Sequence, residues 1–143
     1  MNNINKNFPQ GKLVIRTLAM PKDINVNGDI FGGWIMSQID LGGAILAKEI
    51  SKGKVTTLRV KDIIFLKPIS IGDLVSCYAK LYKIGISSIN IKIEIWTKKI
   101  SSKLIGANNI VAKANLIYVA IDENKNTRFA YNNYFIEKNN FKF

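Results

Sequence analysis

A polar loop punctuated by glycine opens directly into a helix that is apolar on nearly every side, and no other stretch of the chain restricts its fold as much. The loop is Asn25-Val26-Asn27-Gly28-Asp29-Ile30-Phe31-Gly32-Gly33, and the predicted helix runs from Trp34 to Ile50. Along it Ile35, Met36, Ile39, Ala44, Leu46, Ala47 and Ile50 spread around the axis instead of forming one stripe, so the helix must be covered on most sides. It is too short, and too interrupted by Ser37, Gln38 and Asp40, for a membrane span, which needs about 20 apolar residues. It therefore reads as the core of a water-soluble fold, with the carboxylate of Asp40 set in its middle.

The flanking segments supply a cover. Leu13 to Leu18 reads as a first strand that Pro21 ends. After the helix, Ser51-Lys52-Gly53-Lys54 reads as a C-terminus, with glycine in the cap region and lysines complementing the dipole. Thr56 to Leu66 is then rich in Thr, Val, Ile and Phe until Lys67-Pro68 stops it, and the turn Ser70-Ile71-Gly72-Asp73 leads into Leu74 to Lys83. Past Gly85, Ile89, Ile91, Ile93 and Ile95 alternate with Ser88, Asn90, Lys92 and Glu94, the pattern of a strand covering a core on one face. Ser101-Ser102-Lys103 reads as a loop and Asn109 to Ile121 as a last long strand. One strand, one buried helix and four antiparallel-type strands make an α+β fold in which the sheet curls around the helix. Gly42 and Gly43 would each cost an isolated helix roughly 1 kcal/mol relative to alanine, so close approach of a neighbour is expected there. Residues 1–11 are expected to be a flexible N-terminal segment, 12–122 one domain, and 123–143 a tail that is exposed or loosely docked.

Composition removes several chemistries. There is no histidine among the 143 residues, which excludes Ser-His-Asp and Cys-His nucleophile activation, an imidazole base and most zinc sites. An enzyme built on this chain must use carboxylates and backbone. The formal charge of +11 suggests either a polyanionic partner or lysines spread over solvated faces. With only Arg16, Arg59 and Arg128 as arginines, and no dense basic block or interleaved aromatics, the second reading is favoured and no nucleic-acid partner is expected. Cys77 is the single cysteine, and Met1 to Gln10 is asparagine-rich instead of an apolar leader, so a cytoplasmic setting is expected.

Several segments together resemble the YciA-type acyl-CoA thioesterases of the hotdog fold. They are Leu18-Ala19-Met20-Pro21, the run from Asn27 to Gln38, Asp40, the run from Gly42 to Glu49, Phe65-Leu66-Lys67-Pro68, Gly72-Asp73, Trp96-Thr97-Lys98-Lys99 and Tyr118-Val119-Ala120-Ile121-Asp122. The resemblance spans the domain from Leu13 onward, with departures between Asn108 and Asn115 and after Asp122. It implies an antiparallel sheet wrapped around one long central helix, and paired chains that build each active site together. It further implies a homodimer at least, assembled to a homohexamer as a trimer of dimers. The implied activity is hydrolysis of acyl-CoA thioesters to free acid and CoA, without metal or cofactor, coenzyme A being part of the substrate. Hotdog dehydratases, which commonly use a histidine, fit less well.

Read with this resemblance, Asp40 is a general base toward water or a direct nucleophile on the thioester carbonyl, made more basic by apolar surroundings. On residue type alone a structural carboxylate serves as well. Gly33, with Gly32 beside it, would offer backbone N–H groups to the carbonyl oxygen as charge develops there, although a plain helix start explains the same glycines. The resemblance puts the family's loop asparagine on Asn25, acting with the carboxylate across the dimer interface, and leaves Asn27 to the loop. Thr56 and Thr57 are candidates for substrate contact. Arg59, Lys67, Lys98 and Lys99 are candidates for the coenzyme's phosphates, each equally a surface charge. The alternative from another class is an acyl-CoA-binding regulatory hotdog protein that keeps the pocket without turnover.

Overall fold

Isoleucine at every second position builds the centre of the molecule. Ile89, Ile91, Ile93 and Ile95 are all buried, while Lys92 between them is exposed and Ser88, Asn90 and Glu94 are half-buried. The computed structural model describes residues 8–100 and 108–131. Within them the strands are β1 (Lys12–Leu18), β2 (Val55–Phe65), β3 (Asp73–Ile84), β4 (Ser88–Lys99) and β5 (Asn108–Ala120). The helix α1 (Gly32–Ser51) follows a short 3-10 turn at Pro21–Asp23. All strand pairs are antiparallel in the order β1-β3-β4-β5-β2, so β1 and β2 are the edges.

The helix lies across one face of the sheet and touches every strand. Its glycine pair permits this. A Cβ at Gly42 would sit 2.4 Å from Cys77 Sγ, and one at Gly43 would sit 2.3 Å from the Tyr118 hydroxyl, so both positions take glycine for the close approach expected of them. The core between helix and sheet includes Ile35, Ile39, Leu46, Ala47 and Ile50 from α1 and the inward residues of β3, β4 and β5.

Three local expectations are corrected. The helix begins at Gly32, so the two glycines form its first turn. Its C-cap is Lys52 in the left-handed conformation (φ 54°), while Gly53 serves another purpose: a Cβ there would meet Arg128 Nη2 at 2.5 Å. The chain after Asp122 is docked as far as Tyr131. Arg128 donates to the carbonyls of Ile121, Ser51, Phe129 and Lys54, and Ala130 is fully buried with its N–H on Ile86 O. A guanidinium satisfied by several carbonyls holds a turn that composition alone reads as solvated. The expected loop at Ser101-Ser102-Lys103, most of the N-terminal segment and the rest of the tail lie outside the described residues. No described helix is long and apolar enough to cross a membrane.

Candidate active site

Asp40 sits two turns into α1, on the side of the helix that faces edge strand β2. Its Oδ1 accepts from Thr57 Oγ1 at 2.7 Å and from the Tyr118 hydroxyl at 3.1 Å. The same hydroxyl donates to the backbone carbonyl of Asp40 at 2.7 Å and receives the backbone N–H of Ala44. Thr57 and Tyr118 are direct partners in the β2–β5 register, so their side chains project from the same face and converge on the helix. Oδ2 has no hydrogen-bond partner among the described residues, and Asp40 is exposed at the surface of the protomer. The apolar enclosure expected around the carboxylate is therefore not supplied by the described residues.

Tyr118 is the functional residue that the sequence reading missed. It is fully buried, and burial, then the charge of Asp40 and the hydrogen bond to it, push its phenol well above the ordinary range. It is thus a permanent donor. The signal was present: Ala112, Ala114, Leu116, Tyr118 and Ala120 are the inward set of β5, and an inward phenol needs an acceptor.

Gly32 and Gly33 present their N–H groups at the first turn of α1, with no acceptor for either among the described residues. Asn25 has a definite local task. Its Oδ1 accepts from the N–H groups of Asn27 and Asp29 at 2.9 and 3.2 Å, an Asx turn that shapes the loop. Two backbone donors on one oxygen fix the orientation of the amide, which leaves its Nδ2 free to donate elsewhere. Asn27 contributes only its backbone to this turn.

The other candidates are not gathered around Asp40. Thr56 and Arg59 pair with Val119 and Ile117, which flank Tyr118, so both side chains leave the sheet on the face away from the helix. Lys98 pairs with Leu74 on that same outer face, alternate in register with the inward Cys77 and Val75. Lys67 reaches Asn109 Oδ1 at 3.3 Å. Lys99 forms an ion pair at 3.3 Å with the buried Asp73, whose other oxygen accepts from Ser70 N. Lys67, Lys98 and Lys99 share the sheet end nearest the N-terminus of α1, where Ile30 N donates to Ile69 O. Cys77 is buried with its thiol pushed up to about 12 by desolvation, so it is an inert filler beneath Gly42. No group of His, Cys, Asp or Glu suited to a metal occurs among the described residues.

One long helix packed across a five-stranded antiparallel sheet is the arrangement of the hotdog fold. The thioesterase superfamily model matches residues 27–102. An acyl-CoA thioester hydrolase of the YciA type from Salmonella typhimurium is 59% identical over 116 residues, which is 81% of this chain and 87% of that one. The crystal structure of a hexameric thioesterase from Yersinia pestis is 54% identical with a TM-score of 0.81, covering 85% of this chain and 97% of that one. A hexameric broad-specificity acyl-coenzyme A thioesterase, crystallised with one aspartate replaced by alanine, is 53% identical with a TM-score of 0.84, covering 87% and 89%. The chain belongs to the thioesterase superfamily and, within it, to the YciA-type family.

Proposed function

We propose that this enzyme hydrolyses acyl-CoA thioesters, with Asp40 as the reacting carboxylate. The observation that carries the reading is the pinned, exposed Asp40, held by Thr57 and Tyr118 with one oxygen left open. Close relatives named as acyl-CoA thioester hydrolases supply the substrate class.

The complete site needs two protomers. Gly33 and Asp40 are seven residues apart on one helix, which places them on one side of it but about 10 Å apart along the axis. A single thioester carbonyl cannot sit within hydrogen-bond reach of both. The exposed surface beside Asp40 is apolar: Met36 and Leu41 on α1, with Leu58, Val60 and Phe65 on the edge strand β2. An open edge of that kind is a pairing surface. A second copy along β2 covers Asp40 and brings the helix N-terminus and Asn25 of one chain toward the carboxylate of the other. The hexameric state of the solved relatives supports assembly beyond the dimer.

In such a site the thioester carbonyl accepts from the Gly33 N–H, with Gly32 as its neighbour, which stabilises the oxyanion as the carbonyl becomes tetrahedral. Asp40 either takes the proton of the attacking water or attacks the carbonyl carbon itself. When water attacks, the carbon–sulfur bond breaks, the CoA thiolate takes the proton that Asp40 accepted, and the free acid leaves. When Asp40 attacks, the thiolate leaves from a mixed anhydride, which water then hydrolyses to free acid and the regenerated carboxylate, its proton going to the thiolate. The Nδ2 of Asn25 is free to orient water or carbonyl. Of the four candidate cations, Lys67, Lys98 and Arg59 have no ion-pair partner among the described residues and stay candidates for the coenzyme phosphates, and no metal or cofactor has a part. We place this enzyme in the cytoplasm, where acyl-CoA is made and used.

The test is thiol release from short, medium and long acyl-CoAs by the native chain and by Asp40→Asn. Turnover that collapses in the variant, while a non-hydrolysable thioether analogue still binds, supports the hydrolase. Binding without thiol release by the native chain would replace it with the acyl-CoA-binding reading.

A further inference from the structure

We infer that Tyr118 and Thr57 are positioning residues that divide the work of the Asp40 carboxylate, saturating Oδ1 so that Oδ2 alone meets the substrate. The inference rests on the hydrolase reading and adds to it the identity of the reacting oxygen.

The argument is one of valence and geometry. A carboxylate oxygen has two lone pairs, and Oδ1 meets two hydroxyls, from Thr57 at 2.7 Å and Tyr118 at 3.1 Å. The phenol has one proton and two acceptors in reach, the backbone carbonyl and Oδ1 of the same residue, so it forms a three-centre bond that spans Asp40 from main chain to side chain. That bridge fixes the side-chain rotamer of Asp40, and the full bond from Thr57 fixes the rotation of the carboxylate plane. Tyr118 itself cannot wander, because it is fully buried and its oxygen lies against the bare Cα of Gly43. Oδ2 has no partner among the described residues, and Asp40 as a whole is exposed. Neither hydroxyl needs to touch the substrate. Thr57 is thereby moved from substrate contact to support of the base, and Thr56, on the other face, has no share in it.

The test uses the assembled native enzyme, Tyr118→Phe, Thr57→Val and Thr57→Ser, each assayed for kcat, KM and affinity for a thioether acyl-CoA analogue. Tyr118→Phe and Thr57→Val are expected to lower kcat by about ten- to hundredfold, the worth of a hydrogen bond to a charged group. Analogue affinity should stay within about threefold, and Thr57→Ser, which keeps the hydroxyl, should retain most of kcat. Thr57 is exposed, so its variants report even where Tyr118→Phe disturbs the core. The inference is overturned if Thr57→Val keeps native kcat, if the loss falls on analogue binding, or if Thr57→Ser is as impaired as Thr57→Val. A native enzyme that releases no thiol from any acyl-CoA defeats the hydrolase reading instead, a different result from any of these.

Discussion

Gly43→Ala sets two physical effects against each other with opposite signs. By helix propensity, alanine in the middle of α1 should stabilise the chain by about 1 kcal/mol. The structure forecasts the reverse. The added methyl carbon would stand 2.3 Å from the Tyr118 hydroxyl and 2.8 Å from two of its ring carbons. Ordinary contact requires the ring to retreat by about 1 Å, and a close-packed interior gives way only by moving strand and helix apart. The ring is rigid and fully buried between β5 and α1, so a retreat of that kind opens the core. Overpacking of this sort costs about 1–3 kcal/mol, which leaves a net destabilisation of roughly 1 kcal/mol after the propensity gain. Melting should fall by about 3 °C at fixed protomer concentration, and kcat should fall with it, because the displaced phenol leaves Asp40. Tyr118→Phe removes the atom closest to the new methyl, so Gly43→Ala should cost less in that background than in the native one. Thermal unfolding and thiol-release kinetics of the four proteins decide the matter. A Gly43→Ala enzyme that melts higher with native kcat would refute the close-approach argument outright.

Lys99→Ala should change KM by less than about twofold and stability by less than about 1 kcal/mol, since the lysine is half exposed and its role is to neutralise Asp73. Asp73→Ala should cost about 1–3 kcal/mol in denaturant unfolding, because the half-buried Ser70 N–H loses its acceptor, the buried Asp73 carboxylate. Native Cys77 should resist thiol reagents at pH 8 and react on unfolding. Its thiol is raised in the folded state, so the stability it contributes is complete below the ordinary thiol range and is lost as pH rises toward about 12. Alkaline melting of Cys77→Ala should show a shallower decline over that interval. Val60→Lys, on the exposed edge strand, should split the assembly in sedimentation and abolish turnover while the protomer stays folded by circular dichroism.

How much of this was legible depended on whether the signal was local. The alternating isoleucines of β4 and the all-round apolar α1 carry their burial in their own spacing, so the core could be read directly. Asp40 stood out because it is the one carboxylate in the middle of an apolar helix, Glu49 lying in the last turn. What could not be read are facts of register. Thr56 and Thr57 are adjacent and alike in propensity, and which of them faces the helix depends on pairing Thr57 with Tyr118, immediately before a bulge between Thr57 and Arg59. Lys99 looked free because its partner Asp73 is far along the chain and is brought opposite by the β3–β4 pairing. Asn25 was identified as a site residue by resemblance, while its Asx turn, visible in the spacing to Asn27 and Asp29, gives its carbonyl oxygen to the loop. Arg128 deceived for the opposite reason, a charged residue in a polar tail whose guanidinium is matched by backbone carbonyls.

Catalysis and assembly are one problem in this molecule. Asp40, the proposed reacting carboxylate, is held by Thr57 and Tyr118 over the gap at Gly43, yet it is exposed and lies about 10 Å along the axis from the N-terminus of its own helix. Among the described residues, a lone protomer gives this carboxylate no apolar enclosure and no N–H donor within reach of the same carbonyl. The exposed apolar residues Met36 and Leu41 of α1 and Leu58, Val60 and Phe65 of β2 are a liability on a monomer. On the proposed reading, a second copy along β2 covers this surface and brings the missing N–H donors to Asp40 in the same step, so a variant held as a monomer is expected to show no thiol release.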